Sequence, residues 1–345
     1  MAAEEPQVAT KAPESDAQTP ASTTSLFPND TPAQSGPTMG EHCTTDRPLA
    51  SADRASSVKG EVTSINSVQC YVSKPSEYPH SPGKLLLFLT GGTGIHSVNN
   101  QLQADKYAEK GYLVVMPDQF GGDAAPNAAA TVTAASSQDD AIAPAASSSS
   151  PSLLERFKLG AAETAKSFFI DMWLARHTPA KVMPILLKAL EGAREEFADA
   201  VANGGGIYGV GYCFGAKYIM LLCGNGADSA SKNQGASGDE EKGQTTQGPE
   251  VKVGAVAHGT LITKDDMNGI KAPIYIAAVE NDPLFPKDIL ESGLTSFKHN
   301  GVEHKFQLFD GVPHGYAIEG DYQDETIHQK QRETFDTMVD WLETH

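Results

Sequence analysis

The pentapeptide Gly211-Tyr212-Cys213-Phe214-Gly215 decides the fold that the sequence predicts. It follows the apolar run Ile207–Tyr212, which is typical of a buried strand, and precedes the apolar run Ala216–Leu222, which favours a helix. A nucleophile type between two glycines at a strand-to-helix turn matches the G-x-S-x-G elbow pattern, with cysteine in the place of serine. The pattern therefore predicts that Cys213 occupies a sharp turn at the end of a central strand.

The two glycines of the elbow have a physical purpose. In so sharp a turn, side chains at Gly211 and Gly215 would collide with neighbouring backbone. The helix that begins there directs its amides and the positive end of its dipole at the sulfur, which favours the thiolate. A buried core cysteine in a glycine-rich strand is the alternative interpretation of this pentapeptide when it is taken alone.

Outward from the elbow, apolar runs alternate with helical patterns. Runs without internal alternation predict strands covered on both faces at Leu85–Thr90, Leu113–Met116, Ile207–Tyr212, Val253–His258, Ile274–Val279 and Phe306–Phe309. Helices are predicted from the capping box at Ser152, from Pro179 to Gly204, and over Phe335–Leu342. The alternation predicts an α/β fold, a mostly parallel sheet with helices on both faces, and Val62–Val72 predicts an antiparallel hairpin at its edge.

Three stretches of low complexity interrupt this pattern. We predict a disordered tail at 1–57 and low-complexity insertions at 124–152 and 224–250, because such sequences bury too little apolar surface to offset the entropy of ordering. The rest of 58–345 is expected to form a single domain. More than half of the formal net charge of −18 lies in these three stretches, so the folded part is only moderately acidic.

Composition argues against several classes of protein. The net charge of −18 disfavours nucleic acid and anionic membrane surfaces as partners. No apolar run approaches the roughly 20 residues of a membrane span, and the acidic start of the sequence lacks the apolar core of a secretory signal. Four cysteines without CxxC spacing indicate free thiols in a reducing compartment. We therefore predict a cytoplasmic protein that needs no metal and no cofactor, since no metal-ligand spacing occurs either.

Two candidate catalytic residues follow strands downstream of the elbow. Asp282 comes shortly after the run Ile274–Val279, and His314 comes after the run Phe306–Phe309. Nucleophile, acid and base follow one another in this order along the chain of an α/β-hydrolase. Glu280 stands beside the same strand end as Asp282 and is the alternative acid.

With these residues in place, the sequence resembles the dienelactone hydrolase family, particularly its fungal members. The resemblance spans 58–345 outside the two insertions. It is carried by GYCFGAKY (211–218), AAVENDPLFP (277–286) and GVPHGYA (311–317), with support from LLLFLTGGTGI (85–95) and GYLVVMPDQFGGD (111–123). It implies an α/β-hydrolase fold with a triad of Cys213 as nucleophile, Asp282 as acid and His314 as base.

The resemblance also implies a reaction. The triad would hydrolyse a small-molecule ester, lactone or thioester through an acyl-enzyme, with the amides of Phe214 and Gly92 binding the oxyanion. Bacterial members place a glutamate where this chain has Gly91, an arginine in the loop that corresponds to 117–123, and a serine where this chain has Gly315. These departures argue against an anionic dienelactone as the substrate.

Three further residues are candidates for a substrate pocket. They are His258, His96 and Trp173. A structural hydrogen bond for His258 and core packing for Trp173 are the simpler interpretations, and His96 is ambiguous. The glycine-rich loop at Gly91 also motivates another function, a weak or inactive pseudo-hydrolase that binds a ligand or senses oxidants through Cys213. The acidic tail and insertions motivate a third possible function, that of an interaction protein.

Overall fold

The structure, a computed structural model, describes residues 41–49, 57–125, 169–224 and 248–345. Within these ranges the chain forms one eight-stranded sheet in the order β1-β2-β4-β3-β5-β6-β7-β8. The strands are β1 (Glu61–Ile65), β2 (Val68–Ser73), β3 (Lys84–Leu89), β4 (Tyr112–Pro117), β5 (Tyr208–Tyr212), β6 (Val253–Ala257), β7 (Ile274–Val279) and β8 (His304–Phe309). Each apolar run of the sequence is one of these strands, which confirms the predicted α/β fold.

The sheet is parallel except at one edge. Strands β3 to β8 pair in parallel, whereas β1 and β2 form an antiparallel hairpin that joins the sheet through β4. All residues of β4, β5, β6 and β7 are buried, as expected for strands that helices cover on both faces. The carboxyl ends of β5, β7 and β8 therefore meet at one edge of the sheet, where α/β proteins hold their ligands.

The helices cover both faces of the sheet. They are α1 (Glu41–Thr44), α2 (Val98–Glu109), α3 (Pro179–Glu196), α4 (Ala198–Gly204), α5 (Phe214–Leu222), α6 (Lys264–Asn268), α7 (Lys287–Asn300) and α8 (Glu325–Thr344). A further helical stretch covers 169–176. The single helix predicted between Pro179 and Gly204 is two helices, because the backbone at Phe197 (φ −120°, ψ 42°) leaves the helical conformation. The predicted capping-box helix at Ser152 lies outside the described residues.

The prediction of a disordered tail over 1–57 is wrong for 41–49. Here the short helix α1 buries Cys43, and the segment continues along the domain. Asp46 accepts hydrogen bonds from the Ser97 hydroxyl and the Val98 amide at the start of α2, and the Arg47 guanidinium lies 4.2 Å from the ring centre of Tyr322. The segment is ordered by contacts with residues far along the chain, which its own composition does not reveal.

The remaining low-complexity stretches lie almost wholly outside the described residues. At their borders the chain is anchored, since the Ala125 amide donates to the Gly92 carbonyl and Gly224 pairs with Ile270 in an isolated bridge. The Glu250 amide likewise donates to the Leu222 carbonyl at 2.9 Å. A single domain with insertions at these two places stays a prediction.

Candidate active site

Cys213 occupies a strained turn between β5 and α5. Its backbone has φ 51° and ψ −115°, a conformation that side-chain-bearing residues rarely adopt and that concentrates at functional sites. A Cβ atom at Gly211 would lie 2.7 Å from the Gly215 carbonyl oxygen, and one at Gly215 would lie 2.3 Å from the Leu89 carbonyl oxygen. Both glycines are thus required sterically, because the atoms they approach belong to backbone that cannot turn away.

His314 and Asp282 form a buried pair beside this turn. Nδ1 of His314 is 2.7 Å from Oδ2 of Asp282, whose side chain is 1 % exposed. The other carboxylate oxygen of Asp282 accepts the Leu284 amide at 2.9 Å, which fixes the carboxylate in the loop after β7. Of the two candidate acids, Asp282 therefore contacts the imidazole, whereas Glu280 is exposed to solvent.

The electrostatics of the site favour a thiolate. Burial opposes ionisation of Cys213, but a hydrogen bond with Cys43 and the positive charge of His314 outweigh it and lower the thiol pKa. Burial alone would lower the pKa of His314, but the charge on Cys213 and the hydrogen bond to Asp282 raise it above its ordinary value. The two shifts support one another, so the site favours a thiolate–imidazolium pair.

The contact between His314 and Cys213 is looser than that between His314 and Asp282. Nε2 of His314 is buried and makes no full hydrogen bond within the described part of the chain. A ring nitrogen of His314 nevertheless lies within 4.8 Å of the Cys213 Sγ atom. Long contacts of this kind are common in catalytic sites without substrate and shorten when the reacting complex forms.

Of the two predicted oxyanion donors, the Phe214 amide contacts the sulfur, and Gly92 lies in the loop whose neighbouring residue Gly91 packs against Cys213. Phe214 begins α5, and its amide hydrogen-bonds to Cys213. Gly92 is buried in the loop after β3, which turns back where the Gly94 amide donates to the Gly91 carbonyl. A Cβ atom at Gly91 would lie 3.3 Å from the Cys213 Cβ atom, so this loop packs directly against the Cys213 side chain.

A small cavity of about 30 Å³ adjoins Cys213. That volume is far below the several hundred Å³ of a typical ligand pocket. It is small because the segment 41–49 fills the approach: Cys43, Asp46 and Arg47 all line it. These residues were not predicted, since the segment has no apolar periodicity. The loop 117–123 has no arginine, but Arg47 lines the cavity.

The three residues predicted for a substrate pocket lie in different surroundings. His258 is buried, lines the cavity and packs its ring edge-on against His314, with the ring centres 5.0 Å apart. His96 is exposed and does not line the cavity. Trp173 is fully buried, packs on Phe214 and donates from Nε1 to the Asp123 carbonyl at 2.7 Å. Its packing supports the back of the elbow instead of the cavity wall.

Two sulfur atoms and one imidazole meet in this site. Sγ of Cys43, Sγ of Cys213 and a ring nitrogen of His314 all lie within 4.8 Å of one another. Within the described ranges, these are the residues whose atoms could hold a soft metal ion. The prediction that the protein needs no metal therefore remains a prediction.

A mostly parallel sheet whose fifth strand leads through a strained turn into a helix, with an acid–histidine pair on the following loops, defines an α/β-hydrolase. Solved structures show the same fold. The chain matches a solved structure from Klebsiella pneumoniae that is named putative dienelactone hydrolase. The TM-score is 0.55 and the identity is 14 %, over 83 % of this chain and 98 % of that one.

Sequence comparison specifies the family. The model of the dienelactone hydrolase family matches residues 68–345. Among curated fungal proteins, hydrolase pyvD of Aspergillus violaceofuscus is 28 % identical over 284 residues, 82 % of this chain and 89 % of its own. Dienlactone hydrolase 1 of Gibberella moniliformis is 25 % identical over 289 residues, 82 % of this chain and 87 % of its own. The chain belongs to the dienelactone hydrolase family and is a hydrolase of esters or lactones.

None of the helices in the described ranges has both the length and the apolar character needed to cross a membrane.

Proposed function

We propose that the protein hydrolyses a small carboxylic ester, lactone or thioester with Cys213 as nucleophile, His314 as base and Asp282 as the acid that orients the histidine. The observation that carries this assignment is the buried 2.7 Å hydrogen bond between His314 and Asp282 beside the strained elbow of Cys213. A nucleophile next to a base that a third group orients is the general arrangement of covalent hydrolases.

The reaction follows from these positions. The Cys213 thiolate attacks the substrate carbonyl carbon, and the amides of Phe214 and Gly92 bind the developing oxyanion. The leaving alkoxide takes its proton from His314, which leaves a thioester on Cys213. Neutral His314 then removes a proton from water as the water attacks this thioester, while Asp282 holds the imidazole in the required tautomer. The C–S bond breaks, the carboxylic acid leaves, and the Cys213 thiolate and protonated His314 are restored.

Comparison of wild type with Cys213→Ala on p-nitrophenyl acetate tests the nucleophile. We expect kcat/KM to fall by about 10³-fold or more, because the covalent step is lost. Asp282→Asn should lower kcat by about 10²- to 10⁴-fold. Its matched control is Glu280→Gln, which removes an exposed carboxylate from the same loop and should change kcat by less than about twofold. Full turnover by Cys213→Ala would reject the assignment.

The small cavity favours one other candidate function. A site with only about 30 Å³ of free space beside the thiol suits a pseudo-hydrolase that senses oxidants or binds a small ligand through Cys213. The two candidates differ in what accumulates on the sulfur. Mass spectrometry after rapid quenching with a panel of esters should show an acyl adduct on Cys213 for a hydrolase. A pseudo-hydrolase would be alkylated by iodoacetamide but would form no acyl adduct.

A further inference from the structure

The nucleophile is in contact with a second cysteine from the N-terminal segment. Sγ of Cys43 and Sγ of Cys213 are 3.0 Å apart and share a hydrogen bond, although the residues are 170 positions apart in the chain. Both side chains are buried, at 2 % and 3 % exposure. An S–S bond is about 2.05 Å long, so a movement of about 1 Å would bring the two sulfurs to bonding distance.

The fold holds Cys43 at this place. Three residues further on, Asp46 is tied to the start of α2, and the Asp321 amide donates to the Pro48 carbonyl at 2.8 Å. On the opposite side the segment lies against Gly91, where a Cβ atom would be 4.0 Å from the Cys43 carbonyl oxygen, an ordinary van der Waals distance. The segment is thus anchored beyond Cys43, and α1 is a helix of four residues.

The two thiols have the electrostatic surroundings of a reactive pair. Cys213 lies at the start of a helix, and its thiol pKa is lowered against the effect of burial by the hydrogen bond with Cys43, by His314 and by the Phe214 amide. The guanidinium of Arg47 lies close enough to Cys43 for an electrostatic interaction between the two side chains. The other two cysteines differ in this respect, because burial raises the pKa of Cys70 to about 12 and also raises that of Cys223.

We propose that Cys43 is the resolving thiol of Cys213, and that a peroxide converts the pair into a disulfide that blocks the hydrolase until a dithiol reduces it. Because Cys213 must be both the reactive thiol and the nucleophile, the block rests on the function proposed above. The disulfide itself depends only on the two sulfurs.

The chemistry balances with hydrogen peroxide as the oxidant. The Cys213 thiolate attacks one peroxide oxygen, the O–O bond breaks, and the hydroxide released takes up a proton to become water. Cys213 is then a sulfenic acid. The Cys43 sulfur attacks the Cys213 sulfur, the S–O bond breaks, and the hydroxide leaves as water with the Cys43 proton. The two sulfurs lose two electrons in total, and the peroxide gains them.

The disulfide would have two consequences. Cys213 cannot attack a carbonyl while its sulfur is bonded to Cys43, so hydrolysis stops. Capture by Cys43 also keeps the sulfenic acid from further oxidation to the sulfinic and sulfonic acids, which a dithiol does not reduce. The device therefore makes inactivation by peroxide reversible.

The test treats the full-length chain with hydrogen peroxide in the presence of a chelator and measures mass and hydrolysis together. We expect the intact mass to fall by two hydrogens, a peptide pair joined through Cys43 and Cys213 in non-reducing digests, and a loss of hydrolysis proportional to the linked fraction. Dithiothreitol should restore both. Absence of the linked peptides, with Cys213 found as sulfinic or sulfonic acid, would overturn the proposal.

Two variants separate the resolving thiol from the other cysteines. In Cys43→Ser, activity relative to its own untreated sample should be lost irreversibly, with Cys213 overoxidised; Cys43→Ala is a second version should the hydroxyl disturb the site. Cys70→Ser is the matched control, a buried cysteine in β2 that should behave like wild type. Recovery of Cys43→Ser by dithiothreitol to the extent seen in wild type would reject the resolving role of Cys43.

Failure of the disulfide and failure of the proposed function give different results. If the Cys43–Cys213 link forms completely but hydrolysis persists, Cys213 is not the nucleophile, and the proposed function and the block both fail while the disulfide stands. If Cys213→Ala abolishes hydrolysis but peroxide produces no link, the proposed function stands and the disulfide fails.

Discussion

At the scale of single residues, the site depends on how one histidine changes the acidity of one thiol. Buried cysteines ordinarily resist ionisation, as Cys70 does here. Cys213 is also buried, yet its pKa is lowered, because the hydrogen bond with Cys43 and the positive charge of His314, which Asp282 stabilises, outweigh the effect of burial. We therefore expect that removal of one of these side chains changes the pKa of another.

Removal of His314 should change the pH at which Cys213 becomes reactive. The rate at which iodoacetamide alkylates Cys213 should rise as the pH passes through the thiol pKa, and in wild type this rise should occur below the range of an ordinary thiol. Among the described residues, the charged or titratable groups near the sulfur are His314, Cys43 and, lining the cavity, Asp46, Arg47 and His258. In His314→Ala the stabilising charge is lost, so the rise should move to higher pH by about 1 to 3 units.

Alkylation of Cys213 is measured by peptide mass spectrometry across a range of pH. The control is His96→Ala, which removes an exposed imidazole from the loop after Gly94 and should leave the curve in place. An unchanged curve in His314→Ala would show that the histidine does not stabilise the thiolate.

At the scale of elements, the turn from β5 to α5 is held by two glycines that approach other backbone. Substitution at Gly215 places a methyl carbon 2.3 Å from the Leu89 carbonyl oxygen, in the neighbouring strand β3. Neither element can move away, because the Gly215 amide also donates to the Thr90 carbonyl at 2.9 Å. Glycine is thus needed at 215 because the turn after β5 packs against the end of the neighbouring strand β3.

We therefore expect Gly215→Ala to lower the free energy of unfolding by at least about 3 kcal/mol, at the upper end of the cost of overpacking a core. Urea denaturation followed by circular dichroism measures the change. Gly248→Ala is the matched control, since a Cβ atom there has open space around it, and it should alter stability by less than about 0.5 kcal/mol. A loss in Gly215→Ala as small as in the control would contradict the steric account.

Some of these elements could be predicted from the sequence and others could not. Strands such as Ile274–Val279 are apolar on both faces, and burial of both faces leaves a local signature in composition. The order of Cys213, Asp282 and His314 also follows from local patterns at strand ends. The break at Phe197 was not predictable, because it depends on the backbone of one residue between two helices packed on the domain. Neither was the position of Cys43, which distant contacts alone determine.

At the scale of the whole molecule, the domain carries a segment that covers its own site. Residues 41–49 contribute Cys43, Asp46 and Arg47 to a cavity of about 30 Å³, while loops that follow strands of the sheet and the start of α2 supply the rest of its lining. A substrate of ordinary size needs several hundred Å³, so we expect it to reach Cys213 only when this segment moves aside. We therefore predict that a part of the chain that precedes the sheet controls access to Cys213.

Two truncations test this control of access. Deletion of 1–49 removes the covering segment, and we expect iodoacetamide to alkylate Cys213 at least about tenfold faster, because a thiol that is 3 % exposed becomes open to solvent. Deletion of 1–40 is the matched control: it leaves α1 and Cys43 in place and should keep the rate of wild type. Circular dichroism and thermal unfolding establish that both truncated chains retain the fold, whose sheet begins at Glu61. Equal alkylation rates in the two folded truncations would show that 41–49 does not restrict access to the nucleophile.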